Sequence, residues 1–443
     1  MIEIEGRVLA GLDEFMLRAG HLLLLCRVAQ DVGGSWSRIH REAAEKLSQT
    51  VVVEPERNRE VAEYLAAKGL CRQADSAVAE SASYYYPDLE VYTDSSGALA
   101  VRSSEGDQTV RITWQDRNLA AVRVRSRVGA ITWSAKSGSK TGLSHVCDWA
   151  QFLELIDSAG QLSPIGRLLV TVTQIDRTPY ERWNPYELGP ERIIVAYQYF
   201  QRDVDLFARF APLLLRTEVP LSKASCRALF VEALQACVND ADASKGVPSH
   251  RMFELAQQIR DLERAARKAR RDIGETSTAW HRAASRVELY TDLGLLEKNR
   301  RDPADTYKYV YFPTVQLAEA AKDLEATESG DDWIERHLVA AILGEGGNGE
   351  GEPTSLSDRE LAAGLRRIVE GMKLPTTQFP IDCLMLGLAY LHAHAPSPPS
   401  LQEIRRMIEA MPGRYPQVAR LARGREGIRA EYLSLNVRNL AEL

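Results

Sequence analysis

The sequence predicts a mainly α protein with a small β section, built from several modules. Three observations carry that expectation. Apolar residues recur at three- and four-residue intervals through most of the chain, as on the buried face of a helix. Between residues 84 and 140 this spacing gives way to short β-prone runs divided by Ser, Gly, Asp and Asn. The 443 residues exceed a single core at ~100–200 residues per domain. Hydrophobic (45%) and charged (26%) fractions are those of a globular chain, which excludes a largely disordered or collagen-like one.

Leu12, Phe15, Met16, Leu22, Leu23 and Cys26 fall at helical intervals, followed by Arg38–Leu47 and Glu56–Lys68. These define a helical module over 1-80. The section 81-145 holds Leu89–Thr93, Leu99–Arg102, Val110–Trp114, Val122–Arg127 and Ile131–Trp133, the runs of a compact antiparallel sheet. Helical spacing returns at Trp149–Ser158 and Glu191–Leu215, in a module at 146-220. Over 221-343 come helices at about 223–239 and 249–273, then Ser277–Leu293. The middle one carries a seam of Met252, Leu255, Ile259, Leu262, Ala266, Ala269 and Ile273. Gly344–Pro353 contains five Gly and three Glu and cannot build a core, so 344-355 is expected as a flexible linker. The surrounding stretch 319–360 has 12 acids against 3 Lys/Arg and repels polyanions. The tail, 356-443, offers helices at Ile381–His392, Leu401–Met411 and Pro416–Arg423, then a strand at Gly427–Leu435.

One local pattern recurs at Glu63–Leu70, Leu153–Leu162 and Glu288–Leu296. An amphipathic helix stops at Gly69, Gly160 or Gly294 and passes into an apolar residue. Glycine supplies the left-handed conformation that closes a helix. In the third case Leu295–Lys298 and Tyr307–Phe312 read as two strands. The polar turn between them, Asn299–Thr306, contains Arg300, Arg301 and Asp302-Pro303.

This arrangement resembles the end of the third helix and the wing of winged helix-turn-helix domains. The resemblance implies tandem winged-helix-like modules. In the tail it places Arg420, Arg423 and Arg425 at the recognition helix and wing, where groove and phosphate contacts are made. The segment Trp183–Arg192, leading to Tyr197, Tyr199 and Phe200, resembles multi-domain bacterial proteins of mobile-element and phage-defence loci. That second resemblance implies a subunit of a larger defence complex and carries over no site residue.

The 55 Lys+Arg against 61 Asp+Glu give a net charge of −6, so any nucleic-acid binding must come from local patches. Arg260, Arg264, Arg267 and Arg271 are spaced four, three and four. They share one helix face opposite the seam, with Lys268 and Arg270 beside them and no acid on the same face. Such a stripe suits a phosphate backbone; a solvated face with ion pairs one turn apart is the alternative. Arg123, Arg125 and Arg127 alternate along a strand, in a span, 102–140, of 8 Lys/Arg and 3 acids that also holds Trp114 and Trp133. The tail supplies a third patch of Arg405, Arg406, Arg414, Arg420, Arg423, Arg425, Arg429 and Arg438.

Enzyme motifs are thin. No HExxH, GxSxG or CxxC occurs, and Ser137–Gly142 lacks the Gly-Lys-Ser/Thr adjacency of a phosphate loop. Asp88 and Glu90 would open a metal-dependent nuclease site, yet Ser134-Ala135-Lys136 lacks the acid such a site needs. His392 and His394 stand two apart and diverge on a helix. The six dispersed cysteines read as reduced, buried thiols. No metal or cofactor is expected. No apolar run nears the ~20 residues of a membrane span. The acidic start Met1-Ile2-Glu3-Ile4-Glu5 is unlike a signal peptide, so a cytoplasmic protein with no membrane partner is expected. The leading functional expectation is non-enzymatic binding of double-stranded DNA as a recognition or scaffold subunit. The second is a protein-interaction scaffold for a partner ATPase or nuclease. The third is a nuclease at Asp88 and Glu90.

Overall fold

Leu22, Leu23, Leu25, Cys26 and Val28 are all buried in α1 (Gly20–Val32), which packs against α2 (Trp36–Ser48), α3 (Thr141–Phe152) and α4 (Pro164–Ile175). The computed structural model describes residues 2–9, 19–48, 141–175, 188–217, 219–244, 246–300, 309–343, 356–422 and 432–440, and strands between 72 and 130. Those strands are β1 (Arg72–Ala74), β2 (Val78–Ser83), β3 (Tyr86–Thr93), β4 (Leu99–Ser103), β5 (Gly106–Asp116), β6 (Leu119–Ser126) and β7 (Gly129–Ala130). They form one antiparallel meander in chain order, inserted in the sequence between α2 and α3. Most of the β-prone runs fall on these strands; Ile131–Trp133 lies outside the described residues, as do Glu56–Lys68 and the Gly/Glu linker.

The helix expected over Trp149–Ser158 stops at Phe152. Leu155 and Ile156 are both buried in the turn that follows. The Asp157 carboxylate accepts the backbone N–H of Ala159 (2.9 Å) and Gln161 (2.8 Å), a local turn that competes with helix. Gly160 therefore sits in the loop closed by the Ile156–Leu162 bridge and does not end the helix. Ser163 then caps α4 by accepting the N–H of Gly166 (3.0 Å). A Cβ on Gly166 would lie 1.9 Å from the Leu155 carbonyl oxygen. Gly166→Ala should destabilise the chain by about 1–3 kcal/mol, read from a urea melt.

The central helix α5 (Arg192–Arg216) is buried along most of its length. It leads through β8 (Leu221–Ser222) to α6 (Lys223–Ala243) and α7 (Ser249–Ala269). A 3-10 turn, Ile273–Glu275, precedes α8 (Ser277–Asp292). Ser222 and Thr276 cap α6 and α8 by accepting the N–H of Ser225 and Ala279. Gly294 takes a left-handed φ of 86°, and the chain turns into β9 (Leu296–Arg300) and β10 (Tyr309–Pro313). This hairpin falls where the sequence places it. The sheet order is β8-β10-β9, all antiparallel. Lys298 on β9 (2.9 Å) and the Tyr311 hydroxyl on β10 (2.8 Å) both bond Glu288, tying the hairpin to α8.

α9 (Val315–Ala326) and α10 (Gly330–Leu343) pack against α5. Phe200, Phe207 and Trp333 pack there in edge-on and tilted pairs with ring centroids 4.7–5.6 Å apart, which gives α10 its place. The next unit is α11 (Asp358–Met372), β11 (Gln378–Pro380), α12 (Ile381–Leu391), α13 (Leu401–Arg414), β12 (Ala419–Ala422), β13 (Tyr432–Leu435) and α14 (Val437–Leu440). Capping boxes start α11 at Ser357/Glu360 and α13 at Ser400/Glu403. Its sheet order is β11-β13-β12. Where a helix is expected over Pro416–Arg423, the chain turns at 416–418 and runs as strand β12 over Ala419–Ala422. Val418 and Ala419 are buried, Arg420 is exposed, and Leu421 pairs with Leu433 across the ladder.

Two stretches thus share one order of elements. α5-β8-α6-α8-β9-β10, with α7 interposed, parallels α11-β11-α12-α13-β12-β13. In both sheets the last strand lies between the other two.

Residues 2–9 form an extended strap held almost wholly by side chains far along the sequence. Asp205 accepts the N–H of Glu5 (2.9 Å) and Arg7 (2.7 Å), and Asp203 accepts that of Leu9 (2.8 Å). Arg251 and Arg286 donate to the carbonyls of Glu5 and Leu9, both at 3.0 Å. Arg286 and Asp203, each 0% exposed, pair through two bonds of 2.8 and 2.9 Å, and the Tyr199 hydroxyl also donates to Asp203. Asp205 itself is held above the usual carboxylate range by burial, only partly offset by the bonds from Arg7 and Glu5.

The five described cysteines, Cys26, Cys147, Cys226, Cys237 and Cys383, are buried free thiols, in line with the sequence reading. Burial pushes Cys147 and Cys226 up to about 12. Alkylation of the native protein at pH 8 should leave all five unmodified, and mass spectrometry after urea should find them labelled. No helix among the described residues is long and apolar enough to cross a membrane.

Candidate nucleic-acid interface

α7 is amphipathic, and its two faces divide cleanly. Leu255, Gln258, Leu262 and Ala266 are buried, and Arg282 of α8 donates to the Gln258 carbonyl at 3.1 Å. Arg260, Arg264, Arg267, Lys268, Arg270 and Arg271 are all exposed. Arg260 bonds Gln257 Oε1 at 3.2 and 3.0 Å, and its guanidinium lies 5.3 Å from the centre of the Phe253 ring. Arg267, Lys268, Arg270 and Arg271 make no ion pair among the described residues.

Two expectations about this stripe are corrected. An acid does reach the face: Asp261 lies 3.5 Å from Arg264 and also accepts Gln257 Nε2 at 2.8 Å. A carboxylate three residues before an arginine is within reach on any helix. The helix also ends at Ala269, earlier than the expected residue 273. Arg270 takes a left-handed φ of 52° and the N–H of Arg271 returns to the Ala266 carbonyl (3.1 Å). Arg271 thereby leaves the helical register. With Arg267 and Arg270 it lines a shallow hollow of about 720 Å³ shared with Glu263, Asp272 and Glu275. The last-turn cations Arg267 and Lys268 also offset the negative end of the helix dipole.

The other patches fare differently. Arg123 and Arg125 lie on β6, with Arg123 opposite Arg111 in the β5–β6 register; Arg127 is outside the described residues. Arg300 ends β9 and Arg301 is outside the described residues. Arg420, expected on a recognition helix, sits exposed on strand β12 opposite Ser434; Arg423 and Arg425 are outside the described residues. Two members of the tail patch are tied up by acids. Arg405 is 9% exposed and reaches Asp382 (2.6 Å), Glu335 (3.5 Å) and Glu409 (3.8 Å), and Arg414 pairs with Asp358 (3.0 Å).

The third helix of each six-element unit is not an open basic surface. In α8 only Ser277 is exposed, and its arginines, Arg282 and Arg286, point inward. In α13 Arg406, Gly413 and Arg414 are exposed, with Glu403 and Glu409 half-buried beside them. In the first unit, the described cations that face solvent together are therefore those of the interposed helix α7.

Sequence reasoning missed three features. One is the buried Arg286–Asp203 pair, whose signal was an arginine between Ala283, Val287 and Tyr290 on an apolar face. Another is the strap at 2–9. The third is Phe253, one residue out of phase with the Met252–Leu255 seam and 64% exposed. Asp88 and Glu90 fall on β3, Glu90 opposite Glu80 and Arg102 in backbone register. Among the described residues no group of three or more His, Cys, Asp or Glu is arranged for a metal. No family model matches the chain, and neither curated proteins nor solved structures yield a similar one.

Proposed function

We propose that this protein binds DNA through the exposed face of α7, without chemistry on the DNA, as a recognition or scaffold subunit of a larger bacterial complex such as those of phage defence. The observation that carries the reading is the face itself. Arg260, Arg264, Arg267 and Lys268 share solvent on one helix; Asp261 reaches Arg264, and Glu263 lies beside Arg267. Coulombic attraction to phosphates and release of their counterions is the chemistry such a face offers.

We read both six-element units as winged-helix modules, supported by their common order and by sheets in which the last strand is central. On this reading the first unit docks unconventionally. Its third helix, α8, is packed away, so the inserted α7 contacts the phosphates. Binding of a labelled duplex, titrated by anisotropy across salt, tests this: affinity should fall steeply with salt and independently of sequence. Affinity that ignores salt would reject it.

The packed α8 and the ion-paired α13 favour a second reading, a scaffold that grips protein partners. Copurification of a partner by a chain lacking DNA affinity would select it.

A further inference from the structure

We propose that α7 takes single-stranded DNA in preference to duplex, with Phe253 as a platform on which one base stacks. This rests on the reading of α7 as the phosphate-binding face and adds the form of the nucleic acid.

Phe253 is 64% exposed, whereas the rings packed around α5, including Phe200, Phe207 and Phe210, are fully buried. It lies one turn before Gln257 and two turns before Arg260 on the face that continues through Arg264 and Arg267. Arg260 is fixed by Gln257 Oε1 and placed over the ring at 5.3 Å. An aromatic ring with a cation over one face, 64% exposed and continuous with a line of arginines, offers its other face as a flat apolar contact beside a polyanion track. Duplex DNA keeps its base faces stacked on one another and gives such a ring nothing to cover. An unpaired strand presents both a base face and phosphates, the combination that single-strand binders engage.

The dimensions agree. From Phe253 to Arg267 the helix rises ~21 Å at ~1.5 Å per residue. A track of that length engages a few consecutive nucleotides of an unpaired strand, a short footprint of the kind small single-strand sites use. Charge complementarity selects this occupant over an apolar protein surface. An apolar protein surface covering Phe253 would leave Arg260, Arg264 and Arg267 without counter-charge, since of the α7 acids only Asp261 pairs with one of them.

The test is anisotropy with three fluorescein-labelled probes of equal length, about 15 nucleotides: oligothymidine, an abasic deoxyribose-phosphate strand, and a duplex. The wild type should bind oligothymidine about tenfold tighter than the abasic strand. Phe253→Ala should lose that margin while leaving abasic and duplex affinities unchanged. The ring is exposed, so the replacement leaves the core intact, and a matched thermal melt checks it. Equal wild-type affinity for oligothymidine and the abasic strand, or a Phe253→Ala variant indistinguishable from wild type on all probes, overturns the stacking role. In either case a loss of binding in Arg264→Ala/Arg267→Ala would leave the phosphate reading standing. Wild type that binds none of the three overturns both.

Discussion

Arg286→Met should cost about 3–5 kcal/mol of stability, the range for stripping one partner from a buried ion pair. Asp203 would keep its place at 0% exposure without its cation. The Leu9 carbonyl would lose the guanidinium that donates to it, and the strap would lose one of its anchors. Taking both charges out of water is costly, and their mutual attraction offsets that cost only while both partners are present. Two further outcomes separate this from a simple packing loss. Replacing both members with apolar residues, Asp203→Leu with Arg286→Met, should be milder than Arg286→Met alone. Limited proteolysis should also cut the variant within the first residues sooner than the wild type. A urea-melt loss below about 1 kcal/mol would mean that water or a neighbouring group substitutes for the guanidinium.

The second large effect concerns binding. Arg264→Glu with Arg267→Glu places two anions where the phosphates are proposed to lie, so attraction turns to repulsion at each. Duplex affinity should drop more than about 100-fold at low salt, since several charge-assisted contacts of ~1.5–3 kcal/mol are involved. Both side chains are exposed, so the melting temperature should stay near that of the wild type. Arg405→Ala makes the contrast. Arg405 is bound to Asp382 and lies near Glu335 and Glu409, so its removal should lower stability and leave affinity for DNA alone. If Arg405→Ala lowered DNA affinity more than the α7 reversal did, the binding face would have to be moved to the C-terminal unit.

Much of the helical framework was legible because its signals are local. The seam of α7 and the stop at Gly294 can each be read within a few residues. The hairpin of β9 and β10 announced itself through a polar turn between two apolar runs. What misled was also local. Asp157 bends the chain through its own side chain while the apolar spacing still suggests helix. Arg420 falls in a run too short to distinguish strand from helix by periodicity. What could not be read is set by distant contacts. Arg286 meets Asp203 across 83 positions, and Leu9 meets Asp203 across 194. The α7 stripe was legible because one helix supplies all of its face. Its end was not, because no glycine marks the left-handed turn at Arg270.

The claim on which the function rests is that α7 binds DNA by charge. It is tested most directly by plotting log affinity against log salt for the wild type and for the variant with Arg260, Arg264, Arg267 and Arg271 all replaced by Ala. The variant slope should be shallower by up to about 3.6, at ~0.9 for each phosphate no longer neutralised, so that between 50 and 200 mM salt the wild type sheds up to about 150-fold more affinity than the variant. Parallel lines for the two proteins would contradict it.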